Sequence, residues 1–496
     1  MRERIGSWGL EVCSYTRLLG AAKSLRDYKQ GRNGGAYFVA LVYSGTRSSW
    51  GLIVEQTARD FAIYVKRKTL RVLLNIDMCQ WGNGRNRMET FARPKSMKAY
   101  SLRNYSLEGW EEKITGRWNY SDLVSDPTWF KGWISFDALR WNPYDKKLYC
   151  GLNSLDADLL YAFDPKTCRF ECMNSQEWTD KYDVKIHRTL LLNPNDHCLY
   201  FATSLLHDLD QQHEAKGGKL VRFDPLTGTC KIMSVPVPHL YVQSIAADWE
   251  RSIIYGFTYP AEALFRTDLS GNNSKILAYI GNAIMLAQPH NSIVDQDGWL
   301  WGTCAETRAW DEGIGREPIR LFKYHPDGNC FVWFNHGLAR KDTKKQLLSD
   351  PRGVPAAVSA LEETRHKEDF GFCDSMAYDG ARYIYAGTVA GVLCRIDTQT
   401  GGVEKVANVI AAGRFPALAI KDGILYGAGG VKGQTQLIRW DMHTDQIECF
   451  ADLADLEIND CPARVHEIAV DEEHQIYLGE NDNHRRSSFL WVARLD

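Results

Sequence analysis

His187 and Arg188 stand side by side, His290 and Asn291 form a second polar pair, and Tyr259 precedes Pro260. Imidazole takes and gives protons near neutral pH. A guanidinium grips a carboxylate through two parallel hydrogen bonds, and a phenol can hand a proton to a leaving oxygen. His187, Tyr259 and His290 are therefore the expected proton-transfer groups. Arg188 and Arg414 are the expected carboxylate clamp, with His466 close to Arg464. Two stretches rich in reactive types complete the set. One holds His207, Asp208, Asp210, His213 and Glu214; the other holds Glu306, Trp310, Asp311, Glu312 and Arg316. His207, His213, Trp310, Arg316 and His466 join the arginines as expected substrate-binding residues.

Other chemistries lack their motifs. There is no G-x-S-x-G elbow, no G-x-G-x-x-G after a strand and no P-loop. The 207–213 stretch lacks the helix-borne His-x-x-x-His spacing with an intervening Glu, and its mixed composition suits Ca²⁺ poorly. No metal ligand and no cofactor is assigned, with a divalent ion such as calcium as the alternative left open. The 13 Cys are scattered without a C-x-x-C pair, which reads as buried or half-buried thiols in a reducing compartment.

A repeat positions these groups. An apolar run, an Asn/Asp turn and an aromatic anchor followed by small residues recur seven times, anchored at Tyr149, Tyr200, Tyr255, Trp301, Tyr385, Tyr426 and Tyr477. A second phrase follows most anchors, a strand ending in Asp and a turn, as in Phe223-Asp224-Pro225-Leu226-Thr227-Gly228. Asp, Pro and Gly at these offsets are hairpin-turn chemistry. Four short strands with a period of about 40–50 residues are the signature of a propeller blade. The fold class is read as all-β: a seven-bladed β-propeller of four-stranded antiparallel blades, with an irregular N-terminal extension. The propeller is placed at 98–496 with an insertion at 335–372, and the extension of unassigned fold at 1–97. The last repeat runs out one strand short, which would leave an open edge. Strand–turn–strand character in 98–114 predicts that this segment supplies the missing strand.

In such a ring the first strand of each blade, strand A, lies beside the central channel, and the D–A and B–C loops open on one face. Counting five back from each turn Asn/Asp gives Asp137, Arg188, Gln243, His290, Asp374, Ala417 and His466. A column so polar at the start of an apolar strand predicts a solvated channel entrance; the plainer reading is polar groups that satisfy one another. The long B–C loops of blades 2, 4 and 7 land on the same face, the last with Glu480, Asn481, Asp482, His484, Arg485 and Arg486.

Composition narrows the partners. The 496 residues include 59 Lys+Arg and 62 Asp+Glu, a net charge of −3, so no basic surplus marks a nucleic-acid binder. No apolar run of about 18 residues predicts a membrane span. Met1-Arg2-Glu3-Arg4 is not followed by an apolar core, so no cleavable signal is read and a cytoplasmic location is expected.

The seven-copy layout resembles the seven-bladed propeller polysaccharide lyases, of the oligogalacturonate lyase and rhamnose–glucuronate lyase kind. His187 and His290 stand near the starts of A strands, Tyr259 in a B–C loop, and Arg188 and Arg414 beside the mouth. The resemblance implies an acidic oligo- or polysaccharide on one propeller face, cleaved by β-elimination at a uronate. His and Tyr would then move the protons, Arg would bind the carboxylate, and Trp310 would stack on a sugar face. Oligogalacturonate lyase is expected to carry a closely spaced metal-binding His set, and no H-x-H occurs here. Two other readings stand beside it: a non-catalytic propeller binding a protein or glycan through the same rim, and a hydrolase using Glu306, Asp311, Glu312 or Glu480.

Overall fold

The Asn or Asp after each first strand turns the chain back on itself. Asn142 Oδ1 accepts from the Tyr144 N–H and Asn193 Oδ1 from the Asn195 N–H. Asp379 accepts from Ala381, Arg382 and Tyr383, and Asp471 from Glu473 and Gln475. In these Asx turns a side-chain oxygen replaces the backbone acceptor of an ordinary turn. The second oxygen can hold the aromatic anchor. Trp301 Nε1 donates to Asp295 at 2.7 Å, and the Tyr477 hydroxyl to Asp471 at 2.9 Å. Turn and anchor are thus one hydrogen-bonded unit, which explains their fixed spacing.

The computed structural model describes residues 38–40, 53–55, 92–107, 120–281, 291–305, 319–343 and 371–496. His290, Trp310, Arg316, Glu306, Asp311, Glu312 and most of the 335–372 insertion lie outside the described residues. Seven antiparallel four-stranded blades form the propeller. Their A strands are Ile134–Asn142, Leu191–Leu192, Tyr241–Asp248, Ile293–Val294, Cys373–Tyr378, Arg414–Lys421 and Val465–Val470. Each A strand contacts the next, and the seventh contacts the first, so the ring is closed. Blade 1 carries two added short strands, Asp183–Lys185 and Ser204–Leu205.

The anchors pack between blades. Tyr149 of blade 1 meets Phe223 of blade 2 at 5.9 Å between ring centroids, Tyr255 of blade 3 meets Tyr324 of blade 4 edge-on, and Tyr477 of blade 7 stacks on Trp141 of blade 1. This is where the aromatic content goes: large rings fill the wedges between twisted sheets. The described cysteines are free thiols, several of them buried in these wedges.

Blade 7 draws its strands from distant parts of the chain. Val465–Val470, Ile476–Glu480 and Leu490–Arg494 are joined by Ser96–Tyr100, which pairs antiparallel from Ser96 opposite Arg494 to Tyr100 opposite Leu490. Met97 is buried in the core between blades 6 and 7, and the Ala99 N–H donates outward to Asp455. Residues 108–114 lie outside the described residues. Two short helices, Tyr120–Ser125 and Pro127–Gly132, precede blade 1, the second capped by Asp126. In a separate unit, residues 1–84, Phe38–Ala40 pairs antiparallel with Ile53–Glu55. Among the described residues no helix is long and apolar enough to cross a membrane.

Met97→Ala is expected to lower the unfolding free energy by about 2–4 kcal/mol, read from urea denaturation. Lys98→Ala, on the exposed side of the same strand, should leave the midpoint unchanged. Equal midpoints for Met97→Ala and the parent would mean that this strand does not hold the ring closed.

Candidate functional site

Strand A carries one extra residue against strand B in five blades, in blade 6 between Arg414 and Ala417 and in the other four at a single polar residue. In blade 1 Phe136 pairs with Leu152 and Ala138 with Gly151, leaving Asp137 between them without a partner position. Gln243 is passed over in the same way between Val242 and Ser244, Asp374 between Cys373 and Ser375, and His466 between Val465 and Glu467. Such a β-bulge bends the strand and re-aims the extra side chain. All four belong to the polar column counted from the turns, so that column is largely a row of bulges facing the channel.

Blade 2 reaches the channel from the segment before its A strand. Arg188 has a φ of 43°, a left-handed conformation uncommon outside glycine. Its 4% exposed side chain extends to blade 5. There Nη1 donates to the Asp374 carbonyl oxygen and Nη2 lies 3.6 Å from Oδ1. Arg414 of blade 6 grips the same carboxylate, with Nε 2.8 Å from Oδ2 and Nη2 donating to Oδ1. One carboxylate therefore ties together blades 2, 5 and 6. Burial pulls the Arg188 guanidinium down from its ordinary range, and Asp374 acts against that pull.

Asp137 lies between two imidazoles. Its Oδ1 accepts from Asn481 Nδ2 and faces His466 Nδ1, while Oδ2 lies 3.9 Å from His187 Nε2. His187 Nδ1 is 2.7 Å from the Gln243 carbonyl oxygen. A carbonyl can only accept, so the neutral ring carries its proton on Nδ1 and its lone pair on Nε2. Burial is the largest influence on Asp137 and would raise its carboxyl; His466 and His187 overcome it and hold the group well below the usual range. Burial, reinforced by Arg188, pushes His466 down to about 4 against the pull of Asp137. Beside it, burial lifts half-buried Glu467 to about 7, opposed by Arg188.

The structure thus gathers His187, Arg188, Arg414 and His466 into one network with Asp137, Asp374, Gln243 and Asn481. These side chains are mostly buried against one another, with Asp137 Oδ2, Arg188 Nε and Gln243 Oε1 left without a hydrogen-bond partner. Arg188 is corrected as a ligand clamp, because its guanidinium is buried against Asp374. Tyr259 ends strand Ile253–Tyr259, with its ring 5.2 Å from that of Tyr241. His207 and His213 stand apart. His207 packs edge-on to Tyr182 and its Nδ1 lies 3.0 Å from the Asp208 carbonyl, and His213 is exposed on the turn Leu209–Glu214. Glu480 is fully buried, holding Arg486 and the Ala463 and Phe489 N–H groups. That environment makes it a structural anchor, which corrects it as a hydrolytic carboxylate.

A cationic rim adjoins the network; sequence reading placed Arg464, His484 and Arg485 on this face without a substrate role and did not single out Lys432. Lys432 sits in the turn between Ile424–Val431 and Gln434–Asp441, Arg464 precedes Val465–Val470, and His484 and Arg485 lie in the loop before Leu490–Arg494. Lys432 Nζ is 3.4 Å from His484 Nδ1. Burial, then Arg464 and Arg485, push the Lys432 ammonium down; burial, then Lys432, does the same to His484. The rim is tied to the channel by backbone: Asn481 N–H donates to the Arg464 carbonyl at 2.9 Å, and Asp482 N–H to Ser135 Oγ at 3.0 Å. The D–A and B–C placement that marks this face was the available signal. Lys432 escaped it because its turn is short.

Ring, bulges and rim define a seven-bladed β-propeller with a charged mouth on one face. No protein-family model matches the chain, and no curated protein matches it. Among solved structures it is similar to the extracellular domain of a one-component system from B. thetaiotaomicron, at 14% identity over 73% of this chain and 38% of that one, with a TM-score of 0.45. It is also similar to a chain of a nidogen/laminin complex, at 11% identity over 64% of this chain and 93% of that one, with a TM-score of 0.37. The match thus spans well under half of that extracellular domain. These likenesses concern the fold alone.

Asp374→Ala leaves the buried Arg188 guanidinium and the half-buried Arg414 guanidinium without their carboxylate and is expected to cost about 3–5 kcal/mol. The check is urea denaturation against the parent; an unchanged midpoint would show that the bridge across the channel contributes nothing to stability.

Proposed function

We propose that the protein binds an acidic sugar chain at the face where the A strands begin. The observation that carries this reading is the rim of Lys432, Arg464, His484 and Arg485. Like charges held together repel, Asp482 offsets part of that repulsion at Arg464 and His484, and an anion entering among them would relieve the remainder. Uronate carboxylates present such anions at regular intervals along a chain. Lys432 and Arg464 take the carboxylate in this reading, since Arg414 and Arg188 grip Asp374. Tyr259 and Tyr241 of blade 3, packed ring against ring, would offer an aromatic surface for the sugar ring.

β-Elimination at a uronate is the second reading. It is favoured by His187, whose basic Nε2 is fixed by the Gln243 carbonyl, together with Tyr259 on the same face. His187 would take the proton α to the carboxylate. The freed electron pair would form the new double bond as the glycosidic carbon–oxygen bond breaks, and Tyr259 would protonate the departing oxygen. Each positioned proton transfer contributes about 10²–10⁴-fold to rate.

Calorimetry with acidic and neutral oligosaccharides tests the binding reading. Acidic chains should bind, and Lys432→Ala with Arg464→Ala should weaken them by about tenfold or more and flatten the salt dependence. Equal binding of neutral and acidic chains would sink it. For the elimination reading, ultraviolet absorbance should rise with uronate oligosaccharides as the conjugated product forms, and stay flat in His187→Ala. A flat trace with the parent protein and a bound sugar would leave binding without chemistry.

A further inference from the structure

Asp137, His187 and His466 come from three different blades or their approaches, yet one donor atom from each lies within 4.8 Å of the others. We infer that these three side chains form a site for a single divalent transition-metal ion. Ligands held at about 2.0–2.2 Å from one ion are at most about 4.4 Å apart. The widest separations therefore need to close by only a few tenths of an ångström, while His466 Nδ1 and Asp137 Oδ1, now in direct contact, would part to admit the ion.

Two further observations point to a cation. Asp137 is 0% exposed, and its Oδ2 is a buried oxygen without a hydrogen-bond partner. That oxygen is the one facing His187 Nε2 at 3.9 Å. With Nδ1 committed to the Gln243 carbonyl, His187 presents Nε2 to the same carboxylate oxygen, and a nitrogen and an oxygen so placed can ligate one cation. The surroundings also match what metal sites require outside the ligands. The Gln243 carbonyl fixes the His187 tautomer with Nε2 as donor, and Asn481 Nδ2 holds the carboxylate through Oδ1. Such partners orient ligands and tune them.

The donor set decides the class of ion. Two nitrogens and one oxygen suit zinc, iron, manganese, cobalt or nickel, whereas calcium and magnesium prefer all-oxygen shells. Three protein ligands leave at least one coordination position for a further ligand. His187, with its side chain 14% exposed, is the member nearest to solvent.

This inference stands apart from the acidic-sugar reading, because metal content is measured with no sugar present. It also assigns His187 as a ligand in place of a base, so the same measurement decides between those two roles. The experiment uses the full chain, stripped with chelator and titrated with Zn²⁺, Mn²⁺ and Co²⁺ by calorimetry. Metal content is then determined after desalting. About one ion per chain is expected, with a rise in Tm on metal addition. His187→Ala and His466→Ala should each weaken binding by about 100-fold or more, and His213→Ala, on an exposed turn, should not. Should His466→Ala fail to fold, His187→Ala and Asp137→Asn, checked by circular dichroism, carry the comparison. No bound ion in the parent, or binding that survives His187→Ala and is lost in His213→Ala, would overturn the site.

Discussion

The extra residue in strand A is the constraint on which the rest of this mouth depends. A strand packed between neighbouring blades is buried on both faces, and its alternation leaves no position for a charge. The bulges at Asp137, Gln243, Asp374 and His466 lift one residue per strand out of that alternation and aim it at the channel. Apolar wedges and a polar lumen then coexist in the same short segment. The cost is desolvation, since a buried carboxylate without a partner loses several kcal/mol. The molecule meets it by bringing opposite charges from other blades: Arg188 and Arg414 to Asp374, and imidazoles to Asp137.

How far this was legible in the sequence follows from the range of each interaction. The Asx turns link residues two to four positions apart, for example Asp471 to Glu473 and Gln475. They leave a repeating phrase, so blade number and strand order could be read from it. The polar column was visible for the same reason, being a fixed count from each turn. Which column members meet was not visible. Arg188 and Asp374 sit on blades that are not neighbours, and Asn481 reaches Asp137 from the other end of the chain. Their pairing depends on the radius of the closed ring and on the side-chain lengths that span it. Reading one polar residue at a time therefore cast Arg188 as a clamp for a ligand, when its match lay across the lumen.

The two charged regions of the mouth have different characters. Around Asp374 and Asp137, positive and negative groups stand in mutual contact, and the network forms a braced floor with fixed side-chain geometry. At Lys432, Arg464 and Arg485, cations face one another. In the binding proposed above, an anion drawn by the rim would meet behind it a surface with little freedom to rearrange, and orientation would be set before the ligand arrives, the condition under which few contacts yield specificity.

The strand Ser96–Tyr100 pairs with Leu490–Arg494, and this order has a consequence for how the protein is made. Synthesis runs at about 5–20 residues per second, so this strand leaves the ribosome roughly 20–80 s before its partner exists. During that interval six blades can form pairwise, each on its predecessor, while the incomplete ring keeps two open sides. The channel network cannot assemble in most of that time, because His466 and Asn481 come only shortly before Leu490–Arg494 in the chain. Until Leu490–Arg494 is made, a partly built ring would carry unpaired sheet edges of the kind that invite association with other chains.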